Sequence, residues 1–152
     1  FAGAPQIVLC DEPTSALDVS VQAAILNLLV DLQKQDKTSF IFISHDLGVV
    51  RYISDRIAVL YLGRVVEFGT SQRVFGGPFH PYTEALLAAV PVPDPELNRN
   101  RIIIRGDVPS PSNPPPGCRF HTRCPIAKDI CKEAEPLLET KADGHTVACH
   151  LR

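Results

Sequence analysis

Two apolar runs near the start of the chain end in chemically reactive side chains, and this pattern constrains the fold more than any other feature. The run at 7–10 leads directly into Asp11 and Glu12, and the run at 40–43 leads through a serine into His45. In an open parallel sheet, ligands bind at the carboxyl ends of the strands. We therefore expect two neighbouring buried strands whose terminal polar residues face one ligand site.

A helix is predicted between these strands. Apolar residues recur there at the three-and-four spacing of one helical face, at Val21, Ala24, Ile25, Leu28, Leu29 and Leu32. Asp18 or Ser20 can cap this helix, because a side-chain oxygen at that position accepts a hydrogen bond from an unpaired backbone N–H. Strand, helix, strand is the order of a parallel α/β sheet.

Shorter elements are predicted up to residue 90. These are a helix at 46–53, a hairpin over 57–68, and two helical segments near 70–75 and 81–90. Pro81 fits the first turn of the last helix, where its missing N–H is harmless. We expect His80 to shape the start of this helix and Tyr82 to pack below it; a ligand role for them is the alternative.

Composition changes after residue 90. Eight of the 14 prolines lie between residues 91 and 116, a stretch that disfavours helix and central strand. Residues 102–104, three isoleucines, can form one edge strand there. Four of the five cysteines follow within 117–152. The sequence therefore predicts a Pro-rich linker at 91–117 and a separate Cys cluster unit at 118–152, with little regular structure.

The four clustered cysteines have several interpretations. Cys118, Cys124, Cys131 and Cys149 are separated by five, six and 17 residues. Disulfides are rare in the reducing cytosol, zinc usually prefers pairs two to four residues apart, and iron–sulfur clusters tolerate varied spacing. Spacing alone leaves zinc, an iron–sulfur cluster and free thiols open. Cys10, in the apolar strand, is expected to be packing.

Other residues of this region carry weaker signals. His121, His145 and His150 could replace a metal ligand, although surface histidines are the expected explanation. Arg119 and Arg123 are expected to be solvated, with neutralisation of an anionic cluster as the alternative. We assign them no role from the sequence.

The overall composition excludes several classes of protein. The chain has 152 residues and a net charge of -2, so it has no basic footprint for nucleic acid. No apolar stretch approaches the roughly 20 residues needed to span a bilayer, and no signal peptide is recognisable at the N-terminus. We expect a soluble, cytosolic chain. Because it lacks methionine, we also expect it to be the back part of a longer protein.

The acidic pair has a plausible chemistry. Asp11 can hold Mg²⁺ through water, because this ion keeps much of its hydration shell. Glu12 can orient or deprotonate a water that attacks a terminal phosphate, and His45 can contact that phosphate. Taken alone, an Asp-Glu pair at a strand end more often caps the following loop.

The motifs together resemble the second half of an ABC-type ATPase cassette. By this resemblance, Asp11 matches the Walker B aspartate, Glu12 the catalytic glutamate and His45 the switch histidine, while Ser15 to Asp18 match the D-loop. The resemblance implies a P-loop NTPase-type parallel sheet, with ATP and Mg²⁺ as cofactors. It also implies that Ser15 and Asp18 reach across a dimer of cassettes.

Other motifs of that family are missing from this chain. It has no G-x-x-x-x-G-K-[ST] phosphate loop, which grips the β- and γ-phosphates in such enzymes, and no signature motif. We therefore expect that the 152-residue chain alone neither binds ATP tightly nor hydrolyses it.

The tail narrows the resemblance further. The segments His-Pro-Tyr-Thr at 80–83, Gly-Asp-Val-Pro-Ser-Pro at 106–111 and Pro-Gly-Cys-Arg-Phe-His-Thr-Arg-Cys-Pro at 116–125 resemble the C-terminal extension of dipeptide and oligopeptide importer ATPases. This resemblance implies a 4Fe-4S cluster on Cys118, Cys124, Cys131 and Cys149, with zinc as the alternative. It divides the chain into a nucleotide-binding part at 1–70 and an extension at 71–152, helical at 71–90.

The same resemblance implies a function and partners. It suggests an ATP-hydrolysing subunit that powers the import of di- or oligopeptides from the cytoplasmic face of the inner membrane. Partners would be a second ABC ATPase subunit in a homo- or heterodimer, two permease subunits and a periplasmic or extracellular solute-binding protein. The alternatives are an importer of nickel or another small solute, a non-transport ABC ATPase of translation or DNA repair, and a stand-alone metal-binding interaction module.

Overall fold

The chain is a mixed α/β protein that divides into two compact units at residue 54. The computed structural model describes residues 3, 5–90, 102, 104–142 and 144–152. The mixed α/β class predicted from the sequence is confirmed. The functional boundary at residue 70 is a different kind of division and stays a prediction.

The first unit has the predicted strand, helix and strand. Strand β1 (Ile7–Asp11) pairs in parallel with β2 (Ser39–Ile43), and α1 (Val19–Asp36) connects them. Helix α2 (Leu47–Ile53) follows. The amphipathic spacing and the apolar runs thus predicted these elements, although α1 extends four residues beyond Leu32, the last apolar residue of the predicted face.

Aspartate side chains begin both helices of this unit. Asp18 accepts hydrogen bonds from the backbone N–H of Ser20 and Val21, at 3.1 and 3.0 Å. Asp46 caps α2 in the same way, with the N–H of Gly48 at 2.8 Å. Of the two candidate caps for α1, Asp18 is therefore the one that the structure uses. The loops that follow β1 and β2 end at Asp18 and Asp46, respectively.

The two parallel strands are less buried than the sequence suggested. Ile7 and Leu9 are 63 and 64 % exposed, and Ile41 and Ile43 on the neighbouring strand are also exposed. The residues between them are half-buried or nearly so. The expectation of fully buried strands is wrong for this chain, because such strands need covering layers on both faces and one face is open in the described residues.

The second unit is built on the predicted hairpin. Strand β3 (Arg56–Tyr61) pairs antiparallel with β4 (Arg64–Thr70). Leu62 and Gly63 form the two-residue turn with φ values of 46° and 75°, since positive φ at both positions matches the twist of the strands. Helices α3 (Ser71–Gly76) and α4 (Pro81–Ala89) follow, as predicted.

The cysteine-bearing tail adds regular structure that the sequence did not predict. Helix α5 (Ile130–Glu133) precedes strands β5 (Glu139–Ala142) and β6 (His145–Val147). The described sheet of this unit has the order β3-β4-β6-β5, antiparallel throughout. Strands of three and four residues are too short for an alternation of apolar and polar residues to be recognised in the sequence. They form because β6 pairs with the edge of β4 that β3 does not occupy, and β5 pairs with β6.

Two predictions for the Pro-rich linker lie partly outside the described residues. The structure does not describe residues 91–101 and 103, so the edge strand at 102–104 cannot be traced through its centre. Residues 102 and 104 have no assigned strand.

The core of the second unit joins the hairpin to the tail. Its buried centre consists of Tyr61, Val66 and Phe120. The Phe120 ring lies edge-on to Tyr61 with centroids 5.1 Å apart, and 5.4 Å from Tyr82 of α4. One aromatic side chain between two cysteines of the tail therefore anchors that segment to the hairpin and to α4.

No helix in the described part of the chain is both long and apolar enough to cross a membrane.

Candidate functional site

The strand ends of the first unit bring two of the predicted site residues together. The backbone N–H of Glu12 donates to the carbonyl of Ile43 at 3.0 Å, which extends the pairing of β1 and β2 by one residue. Beyond this point, His45 Nδ1 lies 3.0 Å from Glu12 Oε1. Two residues 33 positions apart in sequence thus form one acidic–imidazole pair at the edge of the parallel sheet.

The backbone at Glu12 is unusual. Its φ is 44°, in the left-handed region that residues other than glycine and asparagine rarely adopt. Ser15 holds the turn through its N–H and its hydroxyl, which donate to the Glu12 carbonyl at 3.3 and 3.1 Å. This turn redirects the chain after β1 and aims the Glu12 carboxylate towards His45.

The protonation of His45 depends on this pair. The hydrogen bond to the Glu12 carboxylate, together with its negative charge, raises the pKa of His45. Both side chains are well exposed, so water screens their attraction. The pair is therefore accessible from solvent, and its contact contributes little to stability.

The remaining predicted residues of this site lie beside the pair. Asp11 is the last residue of β1 and is exposed. Asp18 uses its carboxylate to cap α1. The pKa of Asp18 is lowered, mainly by the hydrogen bond from the Ser20 hydroxyl. Ser15 is engaged with Glu12. No contact in the described chain tests the nucleotide roles of these residues, which stay predictions.

The four tail cysteines are free thiols gathered in one region. Burial raises the pKa of Cys118, and the charges of Cys124, Cys131 and Cys149 add to the rise. The backbone N–H of Cys118 also donates to the carbonyl of Cys131 at 2.9 Å. The thiols therefore lie within electrostatic range of Cys118.

This grouping is looser than a site for a single metal ion. In the residues that the structure covers, no three His, Cys, Asp or Glu side chains converge closely enough to hold a metal ion. The zinc alternative therefore has no support in this geometry, and the 4Fe-4S interpretation is not supported by it either.

A glycine fixes the backbone at the start of this segment. Gly117 has a φ of 66°, and a Cβ at this position would lie 2.5 Å from the carbonyl oxygen of Cys131. A side chain does not fit there, because the obstacle is backbone. The close approach of two cysteine-bearing segments depends on this residue.

The two arginines of the cysteine segment are not simply solvated, which corrects the expectation from sequence. The Arg119 guanidinium donates to the carbonyl of Leu62 in the hairpin turn. Arg123 donates through Nε to the carbonyl of Gly106 at 3.2 Å and through Nη1 to the Tyr61 hydroxyl at 3.5 Å. Their sequence spacing gave no sign of these backbone partners.

The expectation of surface histidines is wrong for His145. It is 1 % exposed, and its Nε2 lies 2.7 Å from Oε1 of Glu67, which is fully buried. His121 and His150 instead contact the backbone carbonyls of Cys118 and Ala134. Sequence reasoning missed Glu67, although a single carboxylate inside an apolar strand was a detectable signal.

His80 has the predicted role at the start of α4. It is buried, and its Nδ1 accepts a hydrogen bond from the N–H of Tyr82 at 3.1 Å. Burial lowers the pKa of His80 to about 4, so the ring is neutral at pH 7. Tyr82 packs against Tyr61 and Phe120, as expected of a residue below the helix start.

Comparison with known proteins identifies relatives of most of the chain. The probable peptide ABC transporter ATP-binding protein y4tS of Sinorhizobium fredii is 56 % identical over 148 residues, 97 % of this chain and 42 % of that protein. The oligopeptide transport ATP-binding protein AppF of Bacillus subtilis is 52 % identical over 97 % of this chain and 45 % of its own length. The oligopeptide transport ATP-binding protein OppF of Salmonella typhimurium is 54 % identical over 95 % of this chain and 44 % of its own length.

A family model covers part of the second unit. Residues 66–131 match the oligopeptide/dipeptide transporter C-terminal region. This match includes most of β4, all of α4 and three of the tail cysteines. The chain spans less than half the length of the curated relatives that it matches. The chain is thus similar in sequence, over nearly its whole length, to a part of the ATP-binding proteins of peptide ABC transporters, the proteins that its motifs also resemble.

Proposed function

We propose that this chain is part of an ATP-hydrolysing subunit that powers the import of di- or oligopeptides. The observation that carries the proposal is the 3.0 Å pair of Glu12 and His45 at the ends of two parallel strands. It occurs in a chain 52 and 54 % identical to proteins named for oligopeptide transport. An acidic pair that only capped a loop would not need a histidine from the next strand.

In this proposal each strand-end residue has a distinct role. Mg²⁺, when bound with ATP, neutralises charge on the phosphates. Asp11 would hold that ion through water, and Glu12 would orient and deprotonate the attacking water. His45 would exchange its contact with Glu12 for one with the terminal phosphate. Ser15 and Asp18 would lie at the interface with a second cassette.

The proposed site needs residues that this chain lacks. The phosphate loop supplies backbone amides and a lysine to the β- and γ-phosphates in such ATPases, and this motif is absent from the 152 residues. The chain by itself would leave Asp11 and Glu12 without a bound substrate.

The catalytic role is tested in the chain extended at its N-terminus to the length of its relatives. We expect Glu12→Gln to lower the ATPase kcat about 100-fold or more, the usual contribution of a general base, while ATP binding is retained. Glu133→Gln, which changes an exposed carboxylate in the tail, is the matched control and should leave kcat unchanged. An unchanged rate in Glu12→Gln would refute the role.

The proposed partners are a second ABC ATPase subunit, in a homo- or heterodimer, two permease subunits and a solute-binding protein. The subunit would then be peripheral, at the cytoplasmic face of the inner membrane. Affinity purification of the extended subunit from membranes should recover two permease components. Recovery with ribosomes or DNA, and not with a permease, would favour the non-transport alternative.

We also propose a 4Fe-4S cluster on Cys118, Cys124, Cys131 and Cys149. Support comes from the resemblance of the tail to the extension of peptide importer ATPases and from the four free thiols that it holds. Four cysteine thiolates are the usual ligands of such a cluster. Anaerobic purification followed by absorbance and by iron, sulfide and zinc analysis tests this. Colourless protein without iron and sulfide would refute it.

A further inference from the structure

Glu67 is a carboxylate in the interior of the second unit that no proposed function uses. It lies in β4 and is 0 % exposed. A charge removed from water is costly unless hydrogen bonds and an opposite charge compensate for it. The groups that bind Glu67 therefore explain why a glutamate is tolerated at a buried strand position, where an apolar residue is usual.

The three partners of Glu67 come from two segments of the chain, the turn before α4 and strand β6. Oε1 accepts from the backbone N–H of Phe79 at 2.8 Å and from His145 Nε2 at 2.7 Å. Oε2 accepts from the backbone N–H of His80 at 3.0 Å. One carboxylate therefore joins β4 to the turn before α4 and to β6 of the tail.

The surroundings of His145 fit this arrangement closely. The Phe79 ring lies against the His145 ring with centroids 4.7 Å apart. On β4, a Cβ at Gly69 would lie 3.0 Å from His145 Cδ2, so that strand leaves just enough room for the imidazole. The same turn residue that donates to Glu67 also covers its histidine partner.

The tail strands that Glu67 contacts are short and pair with β4 over a short stretch of backbone. Strand β6 has three residues and is registered to β4 at two positions, Glu67 with Val147 and Phe68 with Thr146. The backbone N–H of Ala148, just after β6, also donates to the carbonyl of Val66 at 2.8 Å. Strand β5 is attached to the sheet through β6. Such short strands have little stability of their own, so their position depends on side-chain contacts like those of Glu67.

We propose that Glu67 is a positioning residue that locks the tail strands β5 and β6 and the first turn of α4 to the hairpin, so that losing its charge releases both segments together. The proposal is independent of ATP hydrolysis and of any metal on the cysteines. It assigns Phe79 and His80 to the attachment of the first turn of α4 to the hairpin, because both residues donate their backbone N–H groups to the carboxylate.

Replacing Glu67 by glutamine tests the charge at nearly constant size. A glutamine side chain has one acceptor oxygen, and its NH₂ group would face an N–H donor. Buried donors left without an acceptor destabilise the segments that carry them. Hydrogen exchange of the full chain, measured by mass spectrometry at pH 7, should rise about tenfold or more in both 79–85 and 139–148. Exchange in β3 should remain near that of the unsubstituted protein.

Glu84→Gln is the matched control. Glu84 also joins α4 to the tail, through Arg152 at 3.1 Å, but that pair is partly exposed to water, with 26 and 38 % of the side chains accessible. Partly exposed pairs contribute little. We expect exchange in 139–148 to change less than twofold in this variant.

A second variant separates a positioning role from general packing. His145→Gln keeps an N–H donor for Glu67 and should open the same two segments less than Glu67→Gln does. Because both residues act through one network, the double variant should open them little more than Glu67→Gln alone. Unchanged exchange in Glu67→Gln, or exchange that rises in β3 as much as in the tail, would overturn the proposal. Additive effects of the two substitutions would also overturn it.

Discussion

His45 and His80 have the same side chain and opposite pKa shifts, which shows how local surroundings determine the chemistry of single residues here. A carboxylate partner at the surface raises the pKa of His45. Burial lowers that of His80 to about 4, because the charged ring would lose its water. A raised pKa suits the phosphate contact that we propose for His45. A lowered pKa keeps His80 neutral, so that its Nδ1 can accept the hydrogen bond that caps α4.

The buried His80 predicts acid-sensitive stability. The unfolded ring has a pKa of about 6.5, so below this value the unfolded chain binds more protons than the folded one. Stability should therefore fall as pH drops from about 6.5 to about 4, by on the order of 3 kcal/mol in total. Urea unfolding between pH 7 and 4 measures this. His80→Asn keeps a capping oxygen and should show a flatter pH dependence; an equally steep one would contradict the assignment.

Gly117 and Gly106 form a natural pair for testing the close backbone approach in the tail. Both have positive φ, but a Cβ at Gly106 would meet open space. Gly106→Ala should cost about 1 kcal/mol for the left-handed backbone alone. Gly117→Ala should cost at least about 2 kcal/mol, because the Cys131 carbonyl must also move. Thermal or urea unfolding compares the two variants. An equal decrease in the free energy of unfolding would show that the backbone at Gly117 moves to relieve the predicted clash.

At the level of elements, helices and strands with strong local sequence patterns could be predicted, whereas strands that depend on pairing with distant segments could not. The apolar runs, the helical spacing and Pro81 predicted the elements from β1 to α4, because each carries its own local signal. Strands β5 and β6 depend on the edge of β4 and on Glu67, which lie some 70 residues earlier in the chain. The arginine contacts to Leu62 and Gly106 were unpredictable for the same reason.

Phe120 should dominate the docking of the cysteine segment. It is 1 % exposed and lies against Tyr61 and Tyr82, so Phe120→Ala should cost about 3–5 kcal/mol. Leu137, which is 78 % exposed, is the control, and Leu137→Ala should change stability by less than about 0.5 kcal/mol. Urea unfolding compares the two. Similar effects would mean that the aromatic core does not hold the tail.

For the whole molecule, the order of motifs was more informative than composition. Asp11, Glu12 and His45 in sequence pointed to an ATPase cassette, and the structure placed Glu12 and His45 in contact. The exposed face of β1 and β2 was not foreseen, since burial depends on layers that a local pattern cannot report. The cysteine spacing also left its chemistry open, and the thiol geometry favours no single ion.

The central claim is that Glu12 and His45 belong to an ATPase site that residues outside this chain complete. The most direct measurement compares ATP hydrolysis by the 152-residue chain and by the chain extended to the length of its relatives, under identical conditions. We predict hydrolysis by the extended protein only, and its loss in Glu12→Gln. ATP hydrolysis by the 152-residue chain that Glu12→Gln abolishes would contradict the claim, as would an extended protein whose rate is independent of Glu12.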